Sequence, residues 1–185
     1  MKRISHAADY IESYDENGGK KVQYAGPLFV VRWNGTRSLR LIQLWALAVG
    51  AAAVFIGFGT LPIPDLPRRP WIMAPYVASF WPVAMLIADA YKISAYSSAV
   101  TRPAAQSGVG RLRRDAIFGE ALALIVFVGQ AGTLLAMAAG RGGVKSEELF
   151  FLILAAAYIL LFEFVRRLNR FITLDESMGT SADAL

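Results

Sequence analysis

The sequence contains no cysteine and only one histidine, His6. Disulfides, thiolate metal sites and cysteine lipidation are therefore excluded, and no metal cluster or catalytic triad that needs histidine can form. The segment Gly108-Val109-Gly110 is not a phosphate-binding loop, because it lacks a following Gly-Lys-Ser/Thr and a βαβ setting. The sequence thus predicts no catalytic constellation, no metal and no cofactor.

Charge is missing from four long stretches, although 18% of all residues are charged. These stretches are residues 41–64, 70–88, 121–140 and 149–162, with 24, 19, 20 and 14 residues. A helix needs about 20 apolar residues to cross a bilayer, and the last stretch continues through Glu163 to Val165 before it meets two arginines. The predicted fold class is therefore an all-α integral membrane protein, a bundle of four transmembrane helices.

The predicted boundaries divide the chain into seven segments. They are an N-terminal cytoplasmic or interfacial segment (1–38), transmembrane helices over 39–64, 70–91, 116–140 and 148–167, a cytoplasmic loop (92–114) and a cytoplasmic tail (168–185). In the first segment, the spacing of Ile4, Ala8 and Ile11, continued at Tyr14, predicts a short amphipathic helix, and residues 21–33 favour an extended stretch. From Thr173 onward the tail has the composition of a disordered segment.

The basic residues lie mostly on one side of this topology. Of the 19 Lys and Arg residues, 15 lie in the N-terminal segment, the loop 92–114 and the tail or, as Arg40, Arg166 and Arg167 do, at the adjoining ends of the spans, so both termini are predicted to be cytoplasmic. We expect a multi-pass protein of a prokaryotic cytoplasmic (inner) membrane. Anionic lipid headgroups explain the net charge of +5 without a nucleic-acid partner. The predicted headgroup-binding residues are Arg111, Arg113, Arg114, Arg166 and Arg167; an acidic partner docking on the run 111–114 is the alternative.

Five polar residues lie within or at the ends of the predicted spans, namely Gln43, Asp89, Glu120, Gln130 and Glu163. Ionisable residues are costly in hydrocarbon and often mark an ion or proton pathway. The three acids and the first glutamine fall at the cytoplasmic ends of four helices, where one layer of them could accept a cation or a proton. Alternatively, Glu163 and Asp89 pair with basic residues three or four positions later. Glu120 has no partner at such a spacing and is the most informative candidate.

Small residues and prolines predict how the spans pack. The candidates for close packing are Gly132, Ala136 and Gly140 in the third span and Ala46, Gly50, Ala53 and Gly57 in the first. Those in the third span lie roughly opposite Glu120 and Gln130, so one face should pack against a helix while the other points polar groups inward. Gln130 either bonds a neighbouring helix or contacts a substrate. Pro75 and Pro82 predict a static kink in the second span, or else a hinge.

These patterns favour a non-enzymatic accessory or structural subunit of a membrane complex, whose partners are the anionic bilayer and other membrane subunits or a second copy. The alternative is a small ion, proton or solute transporter that uses Glu120, with Asp89, Glu163 and Gln130 nearby and Pro82 as a hinge. A lipid-modifying membrane enzyme is the third possibility. On balance the sequence argues against enzymatic activity.

Overall fold

The computed structural model describes residues 9–14, 20–63, 66–96, 99–140 and 144–176. It is mostly helical, and four helical segments are long and apolar enough to cross a membrane: Arg37–Thr60, Pro70–Ala95, Arg102–Ala139 and Ser146–Phe171. By length and composition, these segments confirm the predicted four spans and make the chain a multi-pass membrane protein.

Six α-helices build the four spans. They are α1 (Arg37–Thr60), α2 (Pro70–Ala78) and α3 (Phe80–Ala95) in the second span, α4 (Arg102–Ser107) and α5 (Val109–Ala139) in the third, and α6 (Ser146–Leu168). Short 3-10 helices precede α2 (Leu66–Arg68) and follow α6 (Asn169–Phe171). Helix α5 packs against α2, α3 and α6, and α1 packs against α3 and α6.

Strands lie at one end of these helices. A hairpin pairs β1 (Tyr10–Tyr14) with β2 (Lys20–Tyr24), and a separate antiparallel sheet has β3 (Leu28–Trp33) between β4 (Ala99–Thr101) and β5 (Ile172–Glu176). The three strands of the sheet precede α1, follow α3 and follow α6, so they join three distant parts of the chain at the same end. We call this end of the helices the sheet end, and the other end of the helices the opposite end.

Two predictions for polar segments are wrong. The predicted N-terminal helix is contradicted at Tyr10–Tyr14, which is β1 because its backbone pairs with β2; residues 1–8 lie outside the described residues. The tail is not disordered up to Glu176, because β5 pairs with β3, with Ile172 opposite Trp33. The rest of the tail, residues 177–185, lies outside the described residues.

The segment 92–114, predicted as a loop, contains regular structure. Helix α3 extends to Ala95, β4 and α4 follow, and α5 begins at Val109 rather than at residue 116. The basic run continues α5 because it is amphipathic: Leu112 is buried within the protein, whereas Arg111 and Arg113 are exposed. Helices therefore occupy much of the segment that was predicted to be a loop.

The second span is interrupted at Ser79, between Pro75 and Pro82. Proline at position 82 has no N–H for the carbonyl four residues earlier, so the regular ladder cannot continue. The Ser79 hydroxyl donates to the Pro75 carbonyl at 2.7 Å, and the Tyr158 hydroxyl donates to the Ser79 carbonyl at 3.4 Å. These bonds hold the interruption in one geometry, which favours a static kink over a hinge.

The core near this kink is built from aromatic side chains. Phe58 of α1 packs against Phe151 and Tyr158 of α6, with ring centroids 4.7 and 5.9 Å apart, and Tyr158 packs against Phe162 at 5.0 Å. All four side chains are buried. Each such pair contributes about 0.5–1.5 kcal/mol beyond the area it buries, so this row of rings is a major contact between α1 and α6.

Candidate functional sites at the two ends of the helices

A buried ion pair lies at the opposite end. Arg69, directly before α2, donates to Glu148 in the first turn of α6 through Nη1–Oε2 and Nη2–Oε1 bonds of 2.9 and 2.8 Å. The side-chain amide of Gln130, in α5, donates to Glu148 Oε2 at 2.6 Å and to the Glu148 carbonyl at 3.2 Å. The exposed fractions of the three residues are 7%, 3% and 0%. We call this group the Arg69–Glu148 cluster.

The cluster joins three separate parts of the chain through one ion pair and the hydrogen bonds of Gln130. A two-bond contact between guanidinium and carboxylate is the strong geometry for such a pair, and Glu148 also lies at the helix N-terminus, where a negative charge is favourable. Sequence reasoning missed Arg69 and Glu148 because the first lies in the short connection before the second span and the second at the very start of the fourth span. The available signal was that opposite charges stand at the two connections of this end.

Two of the three acids predicted to form a polar layer belong to one ion-pair network at the sheet end. Glu163 accepts from Nε of Arg166 at 2.6 Å and from Nε of Arg167 at 2.7 Å, both on its own helix. Glu120, on α5, lies 3.7 Å from Nε of Arg166. Glu120 therefore has a partner on another helix, which spacing along the chain could not indicate. Gln43 accepts instead from Nη1 of Arg40, at 3.0 Å.

Asp89, the third acid, lies in different surroundings. It is 1% exposed on α3, and its Oδ2 atom has no hydrogen-bond partner in the described part of the chain. Its electrostatic neighbours are Asp115, Lys92, Arg111 and Arg114. An unbonded oxygen on a buried carboxyl group is energetically costly. Among the three predicted acids, Asp89 is thus the one with a buried carboxyl oxygen that has no hydrogen-bond partner in the described part of the chain.

The predicted headgroup-binding residues differ in their exposure and in their contacts with acidic side chains. Arg111, Arg113 and Arg114 are exposed at the start of α5, and two of them line a polar cleft of about 590 Å³ together with Gln106 and Ser107. Arg166 is held by acids, as described above. The side chain of Arg167 stays 62% exposed even though it contacts Glu163.

Tyr96 ties the end of α3 to this region. Its hydroxyl donates to the carbonyl of Ala104 in α4, and a Cβ atom at Gly108 would lie within 3 Å of that hydroxyl. Burial raises the pKa of Tyr96. The hydroxyl therefore keeps its proton, and its role as a donor, at neutral pH.

The small residues predicted to pack divide into two sets. Gly50 and Gly57 contact Leu161 and Leu154 of α6, since a Cβ atom on them would lie at 3.3 and 3.5 Å. The others, Ala46, Ala53, Gly132, Ala136 and Gly140, are exposed. A Cβ atom at Gly132 would meet nothing within 4 Å. The side of α5 that faces inward carries Gln130, so the small residues opposite it face outward.

Helices α5 and α6 approach closely at a glycine that sequence reasoning missed, Gly119. A Cβ atom at Gly119 would lie 2.4 Å from the ring of Phe162. Gly129 similarly faces Trp71 and Ile72 of α2 at 3.2 Å. A signal for Gly119 was available, because Ala116 and Ala123 lie three residues before and four residues after it and form a second row of small residues, which is buried.

Comparisons with protein-family models, with curated proteins and with solved structures gave no match. Within the residues that the structure describes, no group of three or more His, Asp or Glu side chains could hold a metal ion. Any function must therefore be inferred from the chemistry of this chain's own residues.

Proposed function

We propose that the protein is a non-enzymatic accessory or structural subunit of a membrane complex. The observation that carries this proposal is an apolar surface on α5 that no other helix of the described chain covers. Its residues are Ile125, Val128, Gly132 and Ala136, all exposed, and we call it the open face of α5.

The open face combines a groove with small residues. Gly132 lies seven residues after Ile125, so both are on the same side of the helix. Ile125 and Val128, together with Trp71 of α2, line an apolar groove of about 370 Å³. Glycine and alanine permit the close backbone approach on which association of membrane helices depends, and the groove can accept larger side chains. A transmembrane helix of another subunit, or of a second copy, fits this surface.

The use of polar side chains also supports a structural role. The Arg69–Glu148 cluster and the ion pair of Glu120 with Arg166 join separate helical segments, and Glu163 pairs with Arg166 within α6. A catalytic site would need polar groups directed at a substrate, whereas these groups are directed at one another. The core between α1 and α6 is filled by aromatic rings instead.

For the topology, we propose a four-helix bundle in a prokaryotic cytoplasmic (inner) membrane, with the sheet end in the cytoplasm. The sheet brings the segments before the first span, between the second and third, and after the fourth to one end, as an even number of crossings requires. Of the 19 basic residues, 15 belong to those segments or flank them, which agrees with a cytoplasmic location.

Leucine at both Gly132 and Ala136 tests the open face. The isolated chain should lose no stability, because a Cβ atom at Gly132 meets nothing within 4 Å, Ala136 is exposed, and leucine has a higher helix propensity than glycine. Assembly should decrease at least tenfold, because leucine prevents close helix approach. Native mass spectrometry after extraction in mild detergent measures assembly.

The matched control is Ala53→Leu, which adds the same side chain to an exposed position of α1. It should assemble as the wild type does. The proposal is overturned if the wild-type chain is extracted alone and as a monomer, or if the double leucine variant assembles normally.

A second function, transport of an ion, a proton or a small solute, is favoured by one observation. The buried Asp89 keeps a carboxyl oxygen without a hydrogen-bond partner in the described chain. Buried acids in membrane helices are a recurrent element of proton and cation pathways.

If this second function holds, Asp89→Asn should reduce pH-dependent or cation-dependent flux in proteoliposomes at least tenfold, because the amide cannot exchange a proton. Glu120→Gln is the matched control and should retain flux, because Glu120 is already next to Arg166. Thermal unfolding verifies that both variants are folded. Wild-type proteoliposomes without any flux would exclude transport and agree with the accessory role.

A further inference from the structure

Helices α1 and α6 pack closely at mid-length and separate toward the sheet end. Gly50 and Gly57 allow the close contact, since they meet Leu161 and Leu154 of α6. Nearer the sheet end, an open groove of about 430 Å³ lies between the two helices. Its walls are Ala46 and Leu47 of α1 and Phe164 and Leu168 of α6, and Arg40 and Arg167 stand at its edge. We call it the α1–α6 groove.

Arg40 is fixed in place but not neutralised by its partners. Its Nε donates to the Asn34 carbonyl at 3.2 Å, its Nη1 donates to Gln43, and its guanidinium lies 4.1 Å from the ring centroid of Phe171. These partners are a carbonyl, an amide and an aromatic ring. None of them is an acid, so within the described part of the chain they do not neutralise the positive charge of Arg40. An ordered cation without an acid at the end of an apolar groove is a site for an anion.

Arg167 stands on the other side of the groove. It shares Glu163 with Arg166, which also lies 3.7 Å from Glu120, and the contact of Arg167 with Glu163 is made by its Nε atom. The side chain of Arg167 is 62% exposed. It can therefore turn its remaining donors toward a ligand without leaving the protein surface.

The position of the groove identifies the kind of ligand. Its charged edge lies in the first turn of α1 and the last turn of α6, where a membrane helix meets the headgroup layer, and its apolar part continues toward mid-membrane. The surface beside it carries exposed Ile42 and Phe164, so the groove opens toward lipid. Apolar walls with a few polar groups at one end are typical of small-molecule sites of about 300–1,000 Å³.

We infer that the α1–α6 groove binds an anionic phospholipid of the leaflet at the sheet end. The phosphate lies between Arg40 and Arg167, and one acyl chain lies along Ala46 and Leu47. A free phosphate would use the arginines and leave the apolar walls empty, whereas a zwitterionic lipid would fill the walls and gain less from the arginines. Of these three ligands, the anionic lipid is the one that satisfies both parts. This site is independent of the open face of α5 and of the role proposed for it.

Ala46→Trp tests the apolar half of the site, because an indole on this exposed wall residue occupies the volume assigned to the acyl chain. In native mass spectrometry with added phosphatidylglycerol, the wild-type chain should retain one lipid more tightly than the rest. The variant should bind that lipid at least tenfold more weakly. The matched control is Ala53→Trp, seven residues further along the same exposed side of α1 and outside the groove. It should bind as the wild type does.

Arg167→Gln tests the charged half of the site. It should lower the preference for phosphatidylglycerol over phosphatidylcholine about fivefold, the effect of one basic residue near an anionic surface. The control Arg170→Gln removes an exposed arginine outside the groove and should leave the preference unchanged. The inference is overturned by equal retention of the two lipids, by normal binding to Ala46→Trp, or by displacement of the lipid with millimolar glycerol phosphate, which would identify a site for free phosphate.

Discussion

Replacing Glu148 with glutamine is expected to destabilise the protein by about 3–5 kcal/mol, the range measured when one partner of a buried ion pair is removed. The substitution preserves shape but takes away the carboxylate that binds the buried guanidinium of Arg69 through two bonds of 2.8 and 2.9 Å. It also replaces the acceptor of the Gln130 amide. Unfolding of the purified chain in detergent, followed by circular dichroism, measures the loss.

Two further variants test whether the effect of Glu148→Gln comes from the unpaired buried charge of Arg69 or from the loss of any acid at the start of α6. Glu147→Gln removes the neighbouring acid, whose hydrogen bond to Ser146 is exposed, and should change stability by less than about 0.5 kcal/mol. Arg69→Met combined with Glu148→Leu removes both charges and should cost less than Glu148→Gln alone, because no buried charge loses its partner. A Glu148→Gln variant within about 1 kcal/mol of the wild type would mean that the Arg69–Glu148 cluster does not stabilise the fold.

The spans could be predicted because lipid imposes a length and an absence of charge that are visible in any single stretch of sequence. The residues at which the spans begin and end could not be predicted as accurately. Helix α5 extends from residue 116 back to Val109, because the apolar side chain of Leu112 packs inward and continues the helix through a basic run. A hydropathy value averaged over a window of residues does not show this alternation of buried apolar and exposed basic side chains.

The sheet could not be predicted because its strands depend on partners far away in the chain. Strand β5 has only five residues, and it forms because Leu174 and Ile172 stand opposite Val31 and Trp33 of β3. Strand propensity depends strongly on such neighbours. Without them, the composition of the tail resembles that of a disordered segment.

The candidate sites likewise contain some contacts that sequence spacing predicts and others that it does not. The contact of Glu163 with Arg166 and Arg167 follows from spacings of three and four residues on one helix. The contacts of Glu120 with Arg166 and of Arg69 with Glu148 join distant parts of the chain, and they depend on how the spans are rotated about their axes. Sequence periodicity predicts which side of a helix a residue occupies, but not which helix faces that side.

Gly119→Ala is the second substitution with a large expected effect, a destabilisation of about 1–3 kcal/mol, as in other overpacked cores. A methyl group at this position would lie 2.4–2.7 Å from three ring carbons of Phe162. That ring cannot easily move, because it is buried and packs edge-on against Tyr158. Thermal unfolding in detergent measures the net change. This change is destabilising only if the cost of the steric clash exceeds the gain in helix propensity of about 1 kcal/mol that alanine brings over glycine.

Gly132→Ala on the same helix isolates that propensity term, because its methyl group meets nothing within 4 Å. It should stabilise the isolated chain slightly, so the two substitutions are expected to have opposite signs. Combining Gly119→Ala with Phe162→Leu should cost less than the sum of the single changes, because the smaller side chain leaves space for the methyl group. If Gly119→Ala proves neutral or stabilising, or if the double variant is simply additive, then α5 and α6 do not depend on this glycine for their contact.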